Sequence, residues 1–307
     1  MNWFLVALIG PVLYAVTNHI DKHLLEKYFK NGEAGAIVIF SALFGIFAIP
    51  IVYLIEPNVL SMEVKSIAIL IFSGALSIVC LILYYKALKN DEASVVVPFY
   101  QTIPIFGFFF GYFILNEILT EQQLLACGMI ILGASILSFD ITKSKVGVKK
   151  RVVALMLGAS FLYAVVGVIF KMVAIEDGFW VSMFWNFVGT VLMGIILFVY
   201  NKAYRLQFLQ IFKHNSWSVI SLNSLNEILF VIAEGAVAYA TLLAPIALVM
   251  TVNGFQPLFV FLFGILITLF FPKAEKESLS RNVIAQKILA IGIITIGTVV
   301  LGMSGAL

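Results

Sequence analysis

The sequence is short of charge. Of its 307 residues only 11% are Asp, Glu, Lys or Arg, while 62% are hydrophobic; a soluble domain carries about 25% charged residues. A water-facing globule of this composition would hold more apolar surface than it could bury, so most of the chain must face lipid. The net charge of +3 comes without a clustered basic face, which excludes a nucleic-acid partner. Cysteine is nearly absent: Cys80 and Cys127 each lie inside an apolar run, which excludes a disulfide framework. Histidine is equally scarce, and His19, His23 and His214 all fall at the ends of apolar runs. There is no His/Cys cluster with metal-ligand spacing, no phosphate-cradling loop with its lysine and no serine elbow. The expectation is a protein that is not an enzyme and uses no cofactor or metal.

Apolar runs are what the sequence does have. A helix crosses the hydrocarbon of a bilayer in about 20 apolar residues, and runs of that length recur at 3–20, 34–55, 66–86, 93–115, 121–139, 152–172, 179–200, 217–240, 244–271 and 283–304. They are continuous rather than alternating, which predicts helices and not barrel strands. No Lys or Arg precedes the first run and no small-residue cleavage site directly follows it, so it reads as a retained span.

The ten runs fall into two sets of five. "LYAVTNHIDK" (13–22) and "LYAVVGVIFK" (162–171) share six of ten positions. "FSALFG" (40–45) lies over "FWNFVG" (184–189), and "TIP" ending at Pro104 over "FQP" ending at Pro257. "CGMIILGASIL" (127–137) lies over "IGIITIGTVVL" (291–301) with both glycines in register. The reading is an all-α integral membrane protein of ten transmembrane helices in two five-helix repeats, 1–141 and 152–307, joined by a basic linker, 142–151. Five is odd, so the second copy must cross in the opposite sense. That makes an inverted repeat, with a substrate site expected near the midplane between the halves.

Two such halves resemble the drug/metabolite transporter superfamily in its EamA-type branch. The segment "LNEILTEQQLLACGMIILGASIL" (115–137) is similar to the end of an EamA repeat: an acidic residue, a Thr three residues on, a Gln, then a glycine-spaced helix. In the second half the acidic position falls on Phe270, and "FFPKAEKESLSRN" is inserted before the last run. The resemblance implies alternating-access movement of small metabolites, most often exported and often coupled to protons. Carriers of sugars and nucleotides also occur in the family. It implies cytoplasmic termini, whereas the charge pattern predicts the reverse. Seventeen lysines and arginines fall on one side of the runs, and only Lys65 and Lys171 on the other. By the positive-inside rule the crowded side is cytoplasmic and both termini are outside. The expected location is a bacterial or archaeal cytoplasmic membrane.

Polar residues at membrane depth cost about 2.5–3.5 kcal/mol each when charged, so they point to function or to helix contacts. In the eighth run Asn223, Asn226, Glu227 and Glu234 share one helix face, with Glu227 about 14 Å into the run. Each Glu could bind substrate or a proton, or could pair with a buried lysine such as Lys86 or Lys171. In the first run Tyr14, Thr17, Asn18 and Asp21 form a stripe, where the second copy has Tyr163, Val166, Gly167 and Phe170. What the repeat keeps reads as scaffold, and what it breaks, Asn18 above all, reads as site; Asp21, His19 and Lys22 could instead mark the water interface. Tyr100 and Gln101 before Pro104, and Asn253 and Gln256 before Pro257, flank helix breaks in matching places, the usual sign of a transporter site. Gly128, Gly133, Gly292 and Gly297 read as close helix packing, and "KHLLEKYFKN" (22–31) as an interfacial helix. The substrate-binding set is therefore Tyr14, Asn18, Tyr100, Gln101, Asn223, Asn226, Glu227, Glu234, Asn253 and Gln256. Two in-membrane carboxylates suit an amine-like, cationic or amino-acid-like substrate, with protons as possible partners. A flippase for lipid-linked metabolites on the same fold, or a non-transporting membrane scaffold, are the alternatives.

Overall fold

The computed structural model describes residues 2–27, 34–90, 96–138, 149–214, 217–270 and 281–305, and among these no strand occurs. The helices are α1 (Trp3–Lys27), α2 (Ala34–Ile55), α3 (Val64–Asn90), α4 (Ile103–Leu115), α5 (Glu121–Ser138), α6 (Lys150–Asp177), α7 (Phe179–Tyr200), α8 (Lys202–His214), α9 (Trp217–Leu243), α10 (Ile246–Val252), α11 (Gln256–Phe270) and α12 (Arg281–Met303). Ten stretches are long and apolar enough to span a bilayer, and they fall on the ten runs of the sequence. The fourth is a 3-10 turn, Val97–Thr102, followed by α4. The ninth is α10, a 3-10 turn Asn253–Phe255, and α11. Large apolar side chains such as Phe47, Leu54, Phe113, Ile196 and Leu289 stand exposed on the outside of the bundle, as a lipid-facing surface requires.

The breaks have local causes. Pro98 opens the first 3-10 turn and Pro104 the first turn of α4, while Pro257 stands at the second position of α11. A proline lacks the N–H that an interior helical residue would donate, and costs nothing at a helix start. α4 ends where Asn116 takes the left-handed conformation (φ 54°) and donates its N–H to Gly111 O. α5 begins with a reciprocal cap: Thr120 N donates to Gln123 Oε1 at 2.9 Å, and Gln123 N to Thr120 Oγ1 at 3.2 Å. The Thr and Gln of the family-like segment are thus the start signal of a helix.

α1 packs on α9 and α3 on α6; α4 packs on α6, and α1 on α11; α2 packs on α7 and α5 on α12. α5 and α12 meet through small residues. A β-carbon on Gly133 would stand 2.9 Å from the Ala290 carbonyl oxygen, and one on Gly297 would stand 3.1 Å from that of Ala126. Gly128 and Gly292, expected in the same contact, face nothing within 4 Å. They lie on the other side of their helices, and the packing role belongs to Gly133 and Gly297 alone. α3 and α7 also touch backbone to backbone, with Gly189 on the Ile71 carbonyl and Gly74 on that of Asn186. The contact between α9 and α2 is slight by comparison.

Two expectations change. Residues 22–27 are not a separate interfacial helix; they are the last turns of α1, and 28–31 lie outside the described residues. An amphipathic helix instead occupies Lys202–His214 between the seventh and eighth spans, with Lys202 and Arg205 among Leu206, Phe208 and Leu209. Most of the linker and of the insertion after Phe270 also lie outside the described residues.

Candidate functional site

α1 and α9 run antiparallel against each other, and their polar stripes face one another in register. Near the middle of both helices Glu234 Oε1 accepts a hydrogen bond from Tyr14 Oη at 2.7 Å and a second from Tyr163 Oη of α6 at 2.9 Å. Tyr14 and Tyr163 are the tyrosines of the two "LYAV" copies. Equivalent residues of the two halves therefore converge on one carboxylate. Tyr163 lies outside the expected set, and the signal that links it to this group is its identity with Tyr14.

Two helical turns away, toward the end of α1, a second polar group forms. Asn226 Nδ2 donates to Asp21 Oδ1 at 2.7 Å. Glu227, 5% exposed, accepts from Ser41 Oγ of α2 at 2.5 Å. Asn226 is equally buried, and its Oδ1 has no hydrogen-bond partner. Asp21 joins this group through Asn226 but is itself partly exposed, and Lys22 and His23 beside it are exposed. Among the described residues Asp21, Glu227 and Glu234 have hydroxyl or amide partners and no basic one.

Three tyrosines pack against one another near the two groups. The Tyr84 ring lies 5.3 Å from that of Tyr85 and 5.3 Å from that of Tyr100. Tyr85 is within electrostatic reach of Asp21 and Glu227, and Tyr100 of Glu234 and Tyr163. Of the other expected residues, Asn223 is buried one turn from Glu227, and Gln101 is buried against Gly254, so the two 3-10 turns meet. Asn253 Oδ1 is buried without a partner and lies beside Tyr14, both against Gly10. Asn18 sits on the stripe between Tyr14 and Asp21, and Gln256 opens α11; both are partly buried. Thr17 bonds its own helix backbone at Tyr14 O (3.0 Å), and His19 reaches Val260 O (3.0 Å), which ties α1 to α11.

Lys171 pairs with neither Glu227 nor Glu234. Its Nζ forms an ion pair with Glu117 and donates to Ala244 O at 2.7 Å. Glu117 Oε2 accepts from the Ile246 N–H at 2.7 Å. The pair sits in the break between α9 and α10, the cation at the carbonyl end of one helix and the carboxylate at the N–H end of the next, as both helix dipoles favour. Lys171 is 7% and Glu117 14% exposed, so this is a buried structural clasp joining α6 to two loops. It explains the acidic residue of the family-like segment.

Ten spanning helices make this an integral, multi-pass membrane protein. No curated protein matches the chain. A solved structure described only as the crystal structure of a protein is similar in fold, with 14% identity, a TM-score of 0.66 and coverage of 97% of this chain and 96% of that one. Residues 1–139 match the model of the EamA-like transporter family. Five spans, the acidic residue and the Thr–Gln cap all lie inside that match, so the first repeat of this chain is similar to the EamA-like transporter family.

Proposed function

We propose that the protein moves a small amine-like or cationic metabolite across the membrane by alternating access, in the export direction and coupled to protons. The observation that carries this reading is Glu234 held by Tyr14 and Tyr163 from corresponding places in the two halves. A carboxylate so placed lies where an inverted repeat puts its substrate site. The inverted relation itself has support in the packing. Exchanging the halves turns the α1–α9 contact into α6–α3 and α4–α6 into α11–α1, and both partners are present. It likewise turns Gly133 on Ala290 into Gly297 on Ala126. Glu227 is buried and Asp21 and Glu234 partly so; with no basic partner among the described residues, they favour a cation as the species that completes them. A carboxyl can carry a proton in place of the cation when it leaves, which is the coupling proposed.

The test is transport in reconstituted vesicles. Amines supplied on one side of a pH gradient should move with a counterflow of protons in the wild-type protein. Glu227→Gln should fold and still bind, yet lose the dependence on the gradient. A well-folded Glu227→Gln protein with wild-type pH dependence would remove proton coupling through this residue. Movement of neutral or anionic solutes in preference to amines would overturn the substrate reading.

A further inference from the structure

We infer that the site takes a linear dication, with one ammonium held at Glu234 and the other at Asp21 and Glu227. This rests on the amine-transport reading and sharpens it. Glu227 and Glu234 are seven residues apart on α9, close to two full turns, so they share a face and stand about 10 Å apart along the axis. The facing helix has the same interval: Tyr14, which binds Glu234, is seven residues from Asp21, which binds Asn226. The two acidic positions are thus set by two antiparallel helices in register.

The Asp21 position also offers an amide oxygen that lacks a donor: Asn226 Oδ1 is buried without a partner among the described residues, on the side chain that donates to Asp21. Asn253 Oδ1, likewise without one among them, faces Gly10 one turn from Tyr14. A buried carbonyl acceptor left unpaired is costly, and native structures seldom keep one without a reason. An ammonium has three donors and no acceptor, so at the Asp21 end it meets a carboxylate and an unpartnered carbonyl together, and at Glu234 a carboxylate. A hydroxyl or a carboxylate would not complete the same set. Tyr84 and Tyr100 pack ring against ring in the same neighbourhood and supply aromatic surface suited to an alkyl chain flanked by positive charge.

The experiment is calorimetric binding to the full-length purified protein, with diaminoheptane and heptylamine as probes, followed by a series of shorter and longer diamines. Diaminoheptane should bind about tenfold or more tightly than heptylamine, the effect of one further charge-assisted contact. Affinity should peak at the chain length that spans about 10 Å. Glu227→Gln and Glu234→Gln should each erase the diamine's advantage. Equal binding of the two probes, or no length optimum in the wild-type protein, overturns the two-ended site and leaves an amine transporter with a single binding point. Binding of neither probe, with binding of neutral or anionic metabolites, overturns this inference and the amine reading with it. The length series uses the wild-type chain alone, so a variant that fails to fold does not decide the outcome.

Discussion

At the scale of single residues the chain separates two uses of buried charge. Lys171 and Glu117 neutralise each other and cap two helix ends, so their loss should be a loss of stability. Removing one partner strands a buried charge, which costs about 3–5 kcal/mol. Lys171→Met should therefore lower the thermal unfolding midpoint sharply, and Lys171→Met with Glu117→Gln should recover part of the loss. A single change as harmless as the double would show the clasp to be idle. Tyr14 and Tyr163 lean on the same oxygen, and each Phe substitution removes one hydroxyl from a carboxylate, worth about 1.5–3 kcal/mol. Because the acceptor is shared, the double substitution should depart from the sum by about 0.5 kcal/mol or more. Additive unfolding energies would mean that the two hydroxyls act independently. The sequence made Tyr14, Glu227 and Glu234 visible, because polar groups stand out at 3.6-residue spacing inside apolar runs. Tyr163 and Ser41 stayed hidden, since a tyrosine or serine costs little in a membrane helix and only the partner across the bundle shows its use. Lys171 was visible as a charge, but which carboxylate it meets depends on helix packing that no local pattern encodes.

At the scale of helices, existence was readable and detail was not. Run length fixes a spanning helix, so all ten were legible. The prolines marked the two breaks, although both prolines next to the site open helices and do not kink them. The glycines show the limit most clearly. Gly128 and Gly133 are five residues apart and so lie on different faces, and sequence cannot say which face meets α12. The structure gives a direct comparison. Gly128→Ala should change stability by less than about 0.5 kcal/mol, since nothing lies near it. Gly133→Ala should cost about 1–3 kcal/mol, because its β-carbon would press on Ile294 and the Ala290 carbonyl. Denaturation of the two variants in the same detergent checks this, and equal midpoints would contradict the packing described. The amphipathic helix at Lys202–His214 escaped notice because it is too short and too polar to register as a run.

At the scale of the whole molecule the open question is orientation. In the sequence seventeen basic residues fall on one side of the apolar runs against two on the other, which predicts that the side carrying Lys149, Lys150 and Arg151 faces the cytoplasm. Cysteines introduced at Ser144 and Ala306 settle the matter with a membrane-impermeant thiol reagent in whole cells, since Cys80 and Cys127 are buried. Position 306 should be labelled and 144 protected; the opposite result reverses the assignment. One carboxylate shared by tyrosines from both halves has a mechanical meaning as well. When two bodies rock against each other, points near the shared axis travel least and points far from it travel most. On the proposed alternating-access reading Glu234 lies at the fulcrum, where the two halves meet on one carboxylate. The Ser41–Glu227 contact lies farther out, where a small rotation becomes a larger displacement.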